Sequence, residues 1–154
     1  MAQAVLAACR RKGMKLATAE SCTGGMVAAA LTDIAGSSDV VERGFVTYSN
    51  EAKSELLGVP PALIAAHGAV SAEVAAAMAE GALAHAPVDL SVAITGVAGP
   101  GGGTATKPVG LVWLACSRRG GQIVTETHTF SGDRAAVRVA ATRRALELLL
   151  AAAG

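Results

Sequence analysis

Residues 15–32 read KLATAESCTGGMVAAALT, and this stretch gives the clearest indication of the fold. Residues 15–20 predict a short strand, residues 21–25 predict a turn containing two glycines, and residues 26–32 predict a helix. A strand that passes through a glycine turn into a helix is typical of α/β proteins, in which helices cover the faces of a sheet.

The rest of the chain continues the alternation of helices and strands. Further helices are predicted at residues 2–12, 51–57, 60–67, 72–85 and 134–152. Further strands are predicted at residues 40–48, 90–95, 110–117 and 122–130, the last two as an antiparallel hairpin. Asn50, Ser71 and Asp133 are the predicted N-caps of three helices. We therefore expect one domain over residues 1–154, an α/β protein with a three-layer α/β/α sandwich around a mixed β-sheet.

Composition places the chain among globular cytoplasmic proteins. Hydrophobic residues make up 52% of the chain and charged residues 16%, which argues against disorder. No apolar run approaches the roughly 20 residues of a membrane-spanning helix. The three cysteines form no Cys-x-x-Cys pair, which suits a reducing compartment. In residues 1–11 the charge follows the apolar part, the reverse of a secretory signal, so we expect a cytoplasmic location.

Charge and aromatic content argue against a nucleic-acid partner. The net charge is only +1, and aromatic residues make up 3% of the chain, too few for a base-stacking surface. The three histidines are scattered and form no metal-ligand spacing. We expect neither a metal nor another cofactor.

The turn after the first strand is a candidate anion site. Main-chain N–H groups at the start of a helix are unpaired and attract anions. Ser21 and Thr23 add hydroxyl groups, and Gly24 and Gly25 allow close approach of a ligand. An ordinary helix cap with glycines for tight packing explains the same residues, and the pattern leaves both interpretations open.

The glycine-rich loop that starts at residue 96 fits neither of the two common phosphate-binding motifs. A dinucleotide-binding fingerprint through Gly99 and Gly101 needs glycine at position 104, which is threonine. A P-loop ending at Lys107 needs glycine before the lysine and serine or threonine after it, and neither is present. Thr95 and Gly96 remain candidates for contacting a substrate, because a predicted strand leaves the sheet there.

Two further segments carry polar candidates. Tyr48 and Lys53 lie five residues apart, and a lysine becomes a general base only if burial makes it neutral near pH 7. A solvated helix lysine is the alternative. Arg134 lies in the first turn of a predicted helix, where it opposes the helix dipole. It is either a phosphate or carboxylate ligand or an exposed partner of Asp133.

Seven ordered segments together resemble the CinA C-terminal domain family. They span nearly the whole chain, and seven blocks in order are far more specific than any single glycine loop. The segments are Ala19-Glu20-Ser21-Cys22-Thr23-Gly24-Gly25, Gly36-Ser37-Ser38, residues 44–53 (GFVTYSNEAK), His67-Gly68-Ala69-Val70-Ser71, Thr95-Gly96-Val97-Ala98-Gly99-Pro100, Lys107-Pro108-Val109-Gly110 and Phe130-Ser131-Gly132-Asp133-Arg134.

The resemblance implies an amidohydrolase that converts nicotinamide mononucleotide to nicotinic acid mononucleotide and ammonia by a metal-free serine–lysine mechanism. It implies Ser38 as the nucleophile, Lys53 as the base and Tyr48 beside it, with Thr95 and Arg134 serving the substrate. The expected partners are a small nucleotide and further copies of the chain in a homo-oligomer, with no nucleic acid and no membrane.

The chemistry of an amide hydrolase is consistent with these residue types. A serine is a weak nucleophile until a base takes its proton, and a neutral lysine can do so and later protonate the departing ammonia. Two alternatives remain open. Cys22 at a helix start could carry a lowered pKa and act as the nucleophile, or the chain could be a non-catalytic nucleotide-binding or docking module.

Overall fold

The computed structural model describes all residues from 1 to 154 and contains six α-helices and five strands. The helices are α1 (Ala2–Arg11), α2 (Met26–Thr32), α3 (Asn50–Leu57), α4 (Pro61–His67), α5 (Ala72–Ala84) and α6 (Arg134–Ala153). The strands are β1 (Leu16–Glu20), β2 (Val41–Val46), β3 (Leu90–Gly96), β4 (Leu111–Arg118) and β5 (Ile123–Thr129). A short 3-10 helix covers Ser37–Asp39. No helix is both long enough and apolar enough to cross a membrane.

The five strands form one mixed sheet in the order β2-β1-β3-β4-β5. Strand β1 pairs in parallel with both β2 and β3, whereas β3, β4 and β5 are antiparallel neighbours. The late pair of strands is therefore an antiparallel hairpin, as the sequence predicts.

Helices cover both faces of this sheet. Leu16, Ile94 and Leu114 point into a core with α1, α2 and α6. Ala17 and Ala93 point to the other face, into a core with α3, α4 and α5. Because β1 is buried on both faces, it carries no alternation of apolar and polar residues. The predicted three-layer α/β/α fold with a mixed sheet is confirmed.

One predicted helix cap is wrong by one residue. Helix α3 begins at Asn50, and its N-cap is Ser49, whose hydroxyl accepts a hydrogen bond from the Ala52 N–H at 3.0 Å. Ser49 has the extended backbone of a cap residue, which leaves Asn50 inside the first turn. The predicted caps Ser71 and Asp133 are confirmed, and each accepts a main-chain N–H from the first turn of its helix.

The connections of β1 create a crevice at its carboxyl end. The chain leaves β1 through α2 to reach β2 on one side, and it returns through α3, α4 and α5 to β3 on the other side. In open α/β sheets, ligands bind outside the carboxyl ends of the strands where the connections diverge in this way.

A helical glycine sets the distance between α3 and α5. A Cβ atom at Gly81 of α5 would lie 2.0 Å from the main-chain oxygen of Leu57, the last residue of α3. The helices therefore approach backbone to backbone at this position, and this contact holds the helix that carries Lys53.

We expect Gly81→Ala to lower the free energy of unfolding by about 1–3 kcal/mol, because overpacking outweighs the gain in helix propensity. Urea unfolding followed by circular dichroism measures the change. Gly101→Ala is the matched control, because its Cβ would meet nothing within 4 Å. Equal stability of the two variants would contradict the close approach of α3 and α5.

Candidate active site

The candidate site lies where β1, β2 and β3 end side by side. The N–H of Ser21, the first residue after β1, donates to the Ile94 oxygen of β3 at 2.9 Å. The N–H of Thr47, the first residue after β2, donates to the Glu20 oxygen of β1 at 2.9 Å. These two hydrogen bonds hold Ser21 between the residues that follow β2 and the end of β3, at the crevice described above.

Lys53 lies directly beside Ser21. Its Nζ atom is 3.1 Å from the Ser21 hydroxyl, 3.1 Å from the Tyr48 main-chain oxygen and 3.5 Å from the Ser49 main-chain oxygen. The residue is only 1% exposed, although it sits in a short helix near the surface. The interpretation of Lys53 as a solvated helix lysine is therefore wrong.

Burial lowers the pKa of the Lys53 amine below its ordinary value of 10.5. Desolvation is the main cause, because the charged form loses its hydration in the interior. No carboxylate lies within 4 Å of the amine, and the more distant Glu51 raises the pKa by less than burial lowers it. Burial therefore shifts Lys53 towards the neutral amine, which is the form that can accept a proton from a hydroxyl.

Ser21 and Lys53 open onto a small pocket of about 210 Å³. The hydroxyl of Thr95, at the end of β3, donates to the Ala69 oxygen at 2.8 Å. The lining comes from five segments of the chain: Ser21, Cys22, Tyr48, Asn50, Lys53, Ala69, Val70, Thr95, Gly96, Ala98 and Arg134. The pocket therefore collects most of the residues that the sequence singled out as site candidates.

Arg134 and Tyr48 form the exposed rim of this pocket. The Arg134 guanidinium donates to the Gly99 oxygen at 2.8 Å and to the Tyr48 hydroxyl at 3.1 Å. Asp133 does not pair with Arg134, because its carboxylate caps α6 through the Ala136 N–H at 2.9 Å. The interpretation of Arg134 as an exposed partner of Asp133 is wrong.

Ser38 lies at the opposite end of the sheet from Lys53. It is an exposed residue of the 3-10 helix that precedes β2, near the amino ends of β1 and β2. The five residues of β1 separate the two ends of the sheet, roughly 16 Å at about 3.3 Å per residue. The expected pairing of Ser38 with Lys53 is therefore corrected, and the serine beside Lys53 is Ser21.

The turn after β1 is not an open anion site. The Glu20 carboxylate accepts hydrogen bonds from the Thr23 hydroxyl at 2.7 Å, the Val27 N–H at 2.9 Å and the Ala28 N–H at 3.1 Å. This carboxylate of the protein already occupies the start of α2. Thr23 is fully buried, and neither it nor the following glycines line the pocket. The expectation that Thr23, Gly24 and Gly25 bind substrate is therefore not supported.

Gly96 is required by the sheet rather than by a ligand. A Cβ atom at this position would lie 2.7 Å from a methyl carbon of Val112 and 2.9 Å from the Leu111 oxygen. The neighbouring strand β4 therefore explains the absence of a side chain, although Gly96 also lines the pocket.

Cys22 is unsuited to be a nucleophile. The residue is 5% exposed, and burial raises the pKa of its thiol to about 11. A thiol is a nucleophile only as the thiolate, which this environment disfavours near neutral pH. The raised pKa of the thiol therefore argues against the alternative of a Cys22-dependent hydrolase.

Two residues that the sequence analysis did not single out hold the turn containing Ser21. Glu20 lies in the first of the seven segments, but its neighbours in the sequence do not reveal that its carboxylate accepts main-chain N–H groups of α2. Arg138 of α6 donates to the main-chain oxygens of Cys22 and Thr23 at 3.0 and 3.2 Å. These partners are more than 110 positions away in the sequence. The one signal in the sequence is the four-residue spacing from Arg134, which places both arginines on one side of α6.

The fold and the site together define an α/β protein with a buried serine–lysine pair at the carboxyl end of a mixed sheet. The family model described as the CinA C-terminal domain matches residues 1–153. The chain belongs to the CinA C-terminal domain family.

Relatives include both short and long proteins. The nicotinamide-nucleotide amidohydrolase PncC of Escherichia coli strain K12 is 54% identical over 92% of this chain and 86% of its own length. A CinA-like protein of Akkermansia muciniphila is 50% identical over 96% of this chain, which spans only 36% of that protein. The crystal structure of competence/damage inducible protein CihA from Agrobacterium tumefaciens has a TM-score of 0.96 and 48% identity, covering 97% of this chain and 92% of that one.

We expect the folded protein to resist alkylation at its cysteines, because burial raises the pKa of Cys22 to about 11 and of Cys116 to about 12, and also raises that of Cys9. Intact-mass spectrometry after iodoacetamide treatment at pH 8 measures the modification. The urea-unfolded chain is the control and should react at all three thiols. Rapid labelling of Cys22 in the folded protein would contradict its burial.

Proposed function

We propose that this protein is a nicotinamide-nucleotide amidohydrolase, which hydrolyses the carboxamide of nicotinamide mononucleotide to nicotinic acid mononucleotide and ammonia. The observation that carries the proposal is the buried contact of 3.1 Å between the Lys53 amine and the Ser21 hydroxyl at the pocket. The relatives named PncC, which align over most of their own length, support the choice of substrate.

Ser21 is the nucleophile of the proposed reaction, and Lys53 is its base. The neutral amine takes the hydroxyl proton while the Ser21 oxygen attacks the carboxamide carbon. The resulting ammonium then gives that proton to the departing nitrogen, so that the C–N bond breaks and ammonia leaves. An ester between Ser21 and the nicotinoyl group remains. Lys53 next removes a proton from a water molecule, whose oxygen cleaves the ester, and Ser21 recovers its proton as the acid is released.

Main-chain groups of the turn are placed to stabilise the oxyanion. The N–H of Cys22, the residue after Ser21, donates to no main-chain oxygen of the protein. In enzymes with a nucleophile at a strand-to-helix turn, the N–H of the following residue contributes to the oxyanion hole. One such donor typically contributes about 3 kcal/mol to the stability of the transition state.

Thr95 and Tyr48 orient the substrate in this proposal. The Thr95 hydroxyl donates its hydrogen bond to the Ala69 oxygen, so its lone pairs remain free to accept an N–H of the carboxamide. The Tyr48 ring is 62% exposed and is held by Arg134 at the pocket mouth, where it can lie against the pyridine ring. The main-chain oxygen of Tyr48 accepts a hydrogen bond from the Lys53 amine, so the residue at the pocket mouth also contacts the base.

The phosphate of the substrate points towards α6. A groove of about 650 Å³ adjoins the pocket and shares Ala98 and Arg134 with it. Its charged lining residues are two arginines, Arg134 and Arg138, and one carboxylate, Asp133, which caps α6. A groove on another side, which shares Asn50 with the pocket, is instead lined by Glu51 and Glu55. A phosphate avoids carboxylates and pairs with guanidinium groups, so we assign Arg134 to the phosphate end.

The pocket dimensions agree with this orientation. At about 210 Å³ the pocket is smaller than the roughly 300–1,000 Å³ of typical ligand sites, so it accommodates the nicotinamide group alone. The ribose and phosphate then extend into the groove beside α6. We place the enzyme in the cytoplasm, where its three free buried cysteines stay reduced. The homo-oligomer expected from the sequence stays a prediction.

We expect the purified protein to release ammonia from nicotinamide mononucleotide in the presence of EDTA. Ser21→Ala should lower kcat by at least about 1,000-fold and retain ligand binding, because only the attacking atom is lost. Ser38→Ala is the matched control and should keep the activity of the parent protein. Coupled ammonia detection and calorimetric binding provide the two readouts. Absence of ammonia release by the parent protein would favour a nucleotide-binding module, and an inactive Ser38→Ala would reverse the serine assignment.

We expect kcat/KM to rise with pH as Lys53 loses its proton, with a midpoint below 10.5 because burial lowers the pKa of this amine. Lys53→Arg should be as inactive as Lys53→Ala, since a guanidinium keeps its proton in this range. Initial rates at subsaturating substrate across pH 5–10 measure the profile. A midpoint at the ordinary lysine value, or an active Lys53→Arg, would show that this position supplies only positive charge.

A further inference from the structure

We propose that Arg138 is a positioning residue for Ser21, which it holds in attacking geometry through the main chain of the turn. The inference rests on the proposed function, because it concerns the nucleophile of that reaction. Arg138 itself does not line the pocket that contains Ser21 and Lys53.

Arg138 binds the turn by donating hydrogen bonds to two adjacent peptide groups. Its Nε atom donates to the Cys22 oxygen at 3.0 Å, and its Nη2 atom donates to the Thr23 oxygen at 3.2 Å. A guanidinium holds two acceptors in a fixed fork, whereas an ammonium is a point donor. The two peptide planes that follow the nucleophile are thus oriented by one rigid group from α6.

Two main-chain hydrogen bonds close the turn, from the Gly24 N–H to the Ser21 oxygen and from the Met26 N–H to the Thr23 oxygen, but its two adjacent glycines favour external support. Gly24 and Gly25 both have positive φ values, of 60° and 105°, and glycine visits many other conformations. A Cβ atom at Gly24 would lie 3.2 Å from the Arg138 Nη2 atom, so the glycine also leaves room for the guanidinium.

Glu20 secures only the opposite side of the turn. Its carboxylate binds the Thr23 hydroxyl and the first N–H groups of α2, which fixes where the helix begins. The carbonyl groups of Cys22 and Thr23 have Arg138 as their side-chain partner, and the Thr23 oxygen also accepts the Met26 N–H at 3.1 Å. Without the guanidinium, the Cys22 carbonyl loses its hydrogen-bond donor and can rotate towards water, and the adjoining Ser21 hydroxyl and Cys22 N–H move with it.

Displacement of a nucleophile by about 1 Å can reduce turnover about 100-fold without changing the groups that bind substrate. We therefore expect Arg138→Lys to lower kcat by about 10- to 100-fold with KM changed by less than about threefold. Lysine keeps the positive charge near the phosphate groove but cannot hold both carbonyls. Arg143→Lys on the same helix is the matched control, because that exposed arginine contacts only Glu147.

A second variant separates positioning from a general loss of structure. Arg138→Ala leaves a half-buried space of the right shape, and added guanidinium chloride far below denaturing concentrations should restore part of its kcat. Steady-state kinetics per folded molecule, with thermal unfolding as the check on folding, give the readout. A purely structural role predicts a lowered melting temperature with unchanged kcat and no rescue.

The possible results distinguish this inference from the proposed function. Parent protein that fails to release ammonia overturns the amidohydrolase assignment and this inference with it. Active parent protein together with an Arg138→Lys variant of normal kcat overturns the positioning role alone. A variant with normal kcat and raised KM would instead assign Arg138 to the substrate phosphate, which also overturns the proposal.

Discussion

A lysine amine enclosed by the protein, with oxygen acceptors around it and no carboxylate beside it, is the constraint on which the site depends. The Lys53 side chain is 1% exposed, and each pKa unit lost to desolvation corresponds to about 1.4 kcal/mol against the charged form. In the proposed reaction, the environment that disfavours the charge of this amine allows it to act as the base. The proposed reaction therefore needs no further group to activate Ser21 once the serine lies within hydrogen-bond distance of Lys53.

Excluding water from that amine requires close packing of several helices and strands. Helix α3 carries Lys53 and packs on α5 at Gly81, where the two backbones leave no room for a side chain. The main-chain oxygens of Tyr48 and Ser49 cover the amine from the segment that follows β2. Small residues on this face of the sheet, such as Ala17 and Ala93, let α5 approach the strands. The chemistry thus depends on packing that lies several residues from the pocket.

The turn after β1 combines two roles that the same sequence motif could serve separately. Its first residue, Ser21, contacts Lys53. The Glu20 carboxylate accepts an N–H at the start of α2, and Arg138 donates to a main-chain oxygen of the turn. A helix start that is open attracts an anionic ligand, but here a carboxylate of the protein fills that place. In the proposed function, the charge that attracts the substrate phosphate comes instead from Arg134 of α6.

The sequence by itself determined the fold class, the order of the elements and most of the residues around the pocket. Local patterns suffice for the elements, because strand and helix periodicity, glycine turns and caps such as Ser71 and Asp133 act over a few residues, whereas the roles of the pocket residues came from the resemblance to the family. Only the tertiary structure decided which serine meets Lys53. Ser21 and Ser38 both lie in turns that could present a nucleophile. Ser21 follows the carboxyl end of β1 and Ser38 precedes the amino end of β2, so the parallel pairing of these strands puts the two serines at opposite ends of the sheet. The same is true of Arg138, which reaches a turn more than 110 positions away because α6 packs beside α2. Contacts of this range, and the burial that lowers the pKa of Lys53, arise from how distant segments pack together, which no short stretch of sequence records.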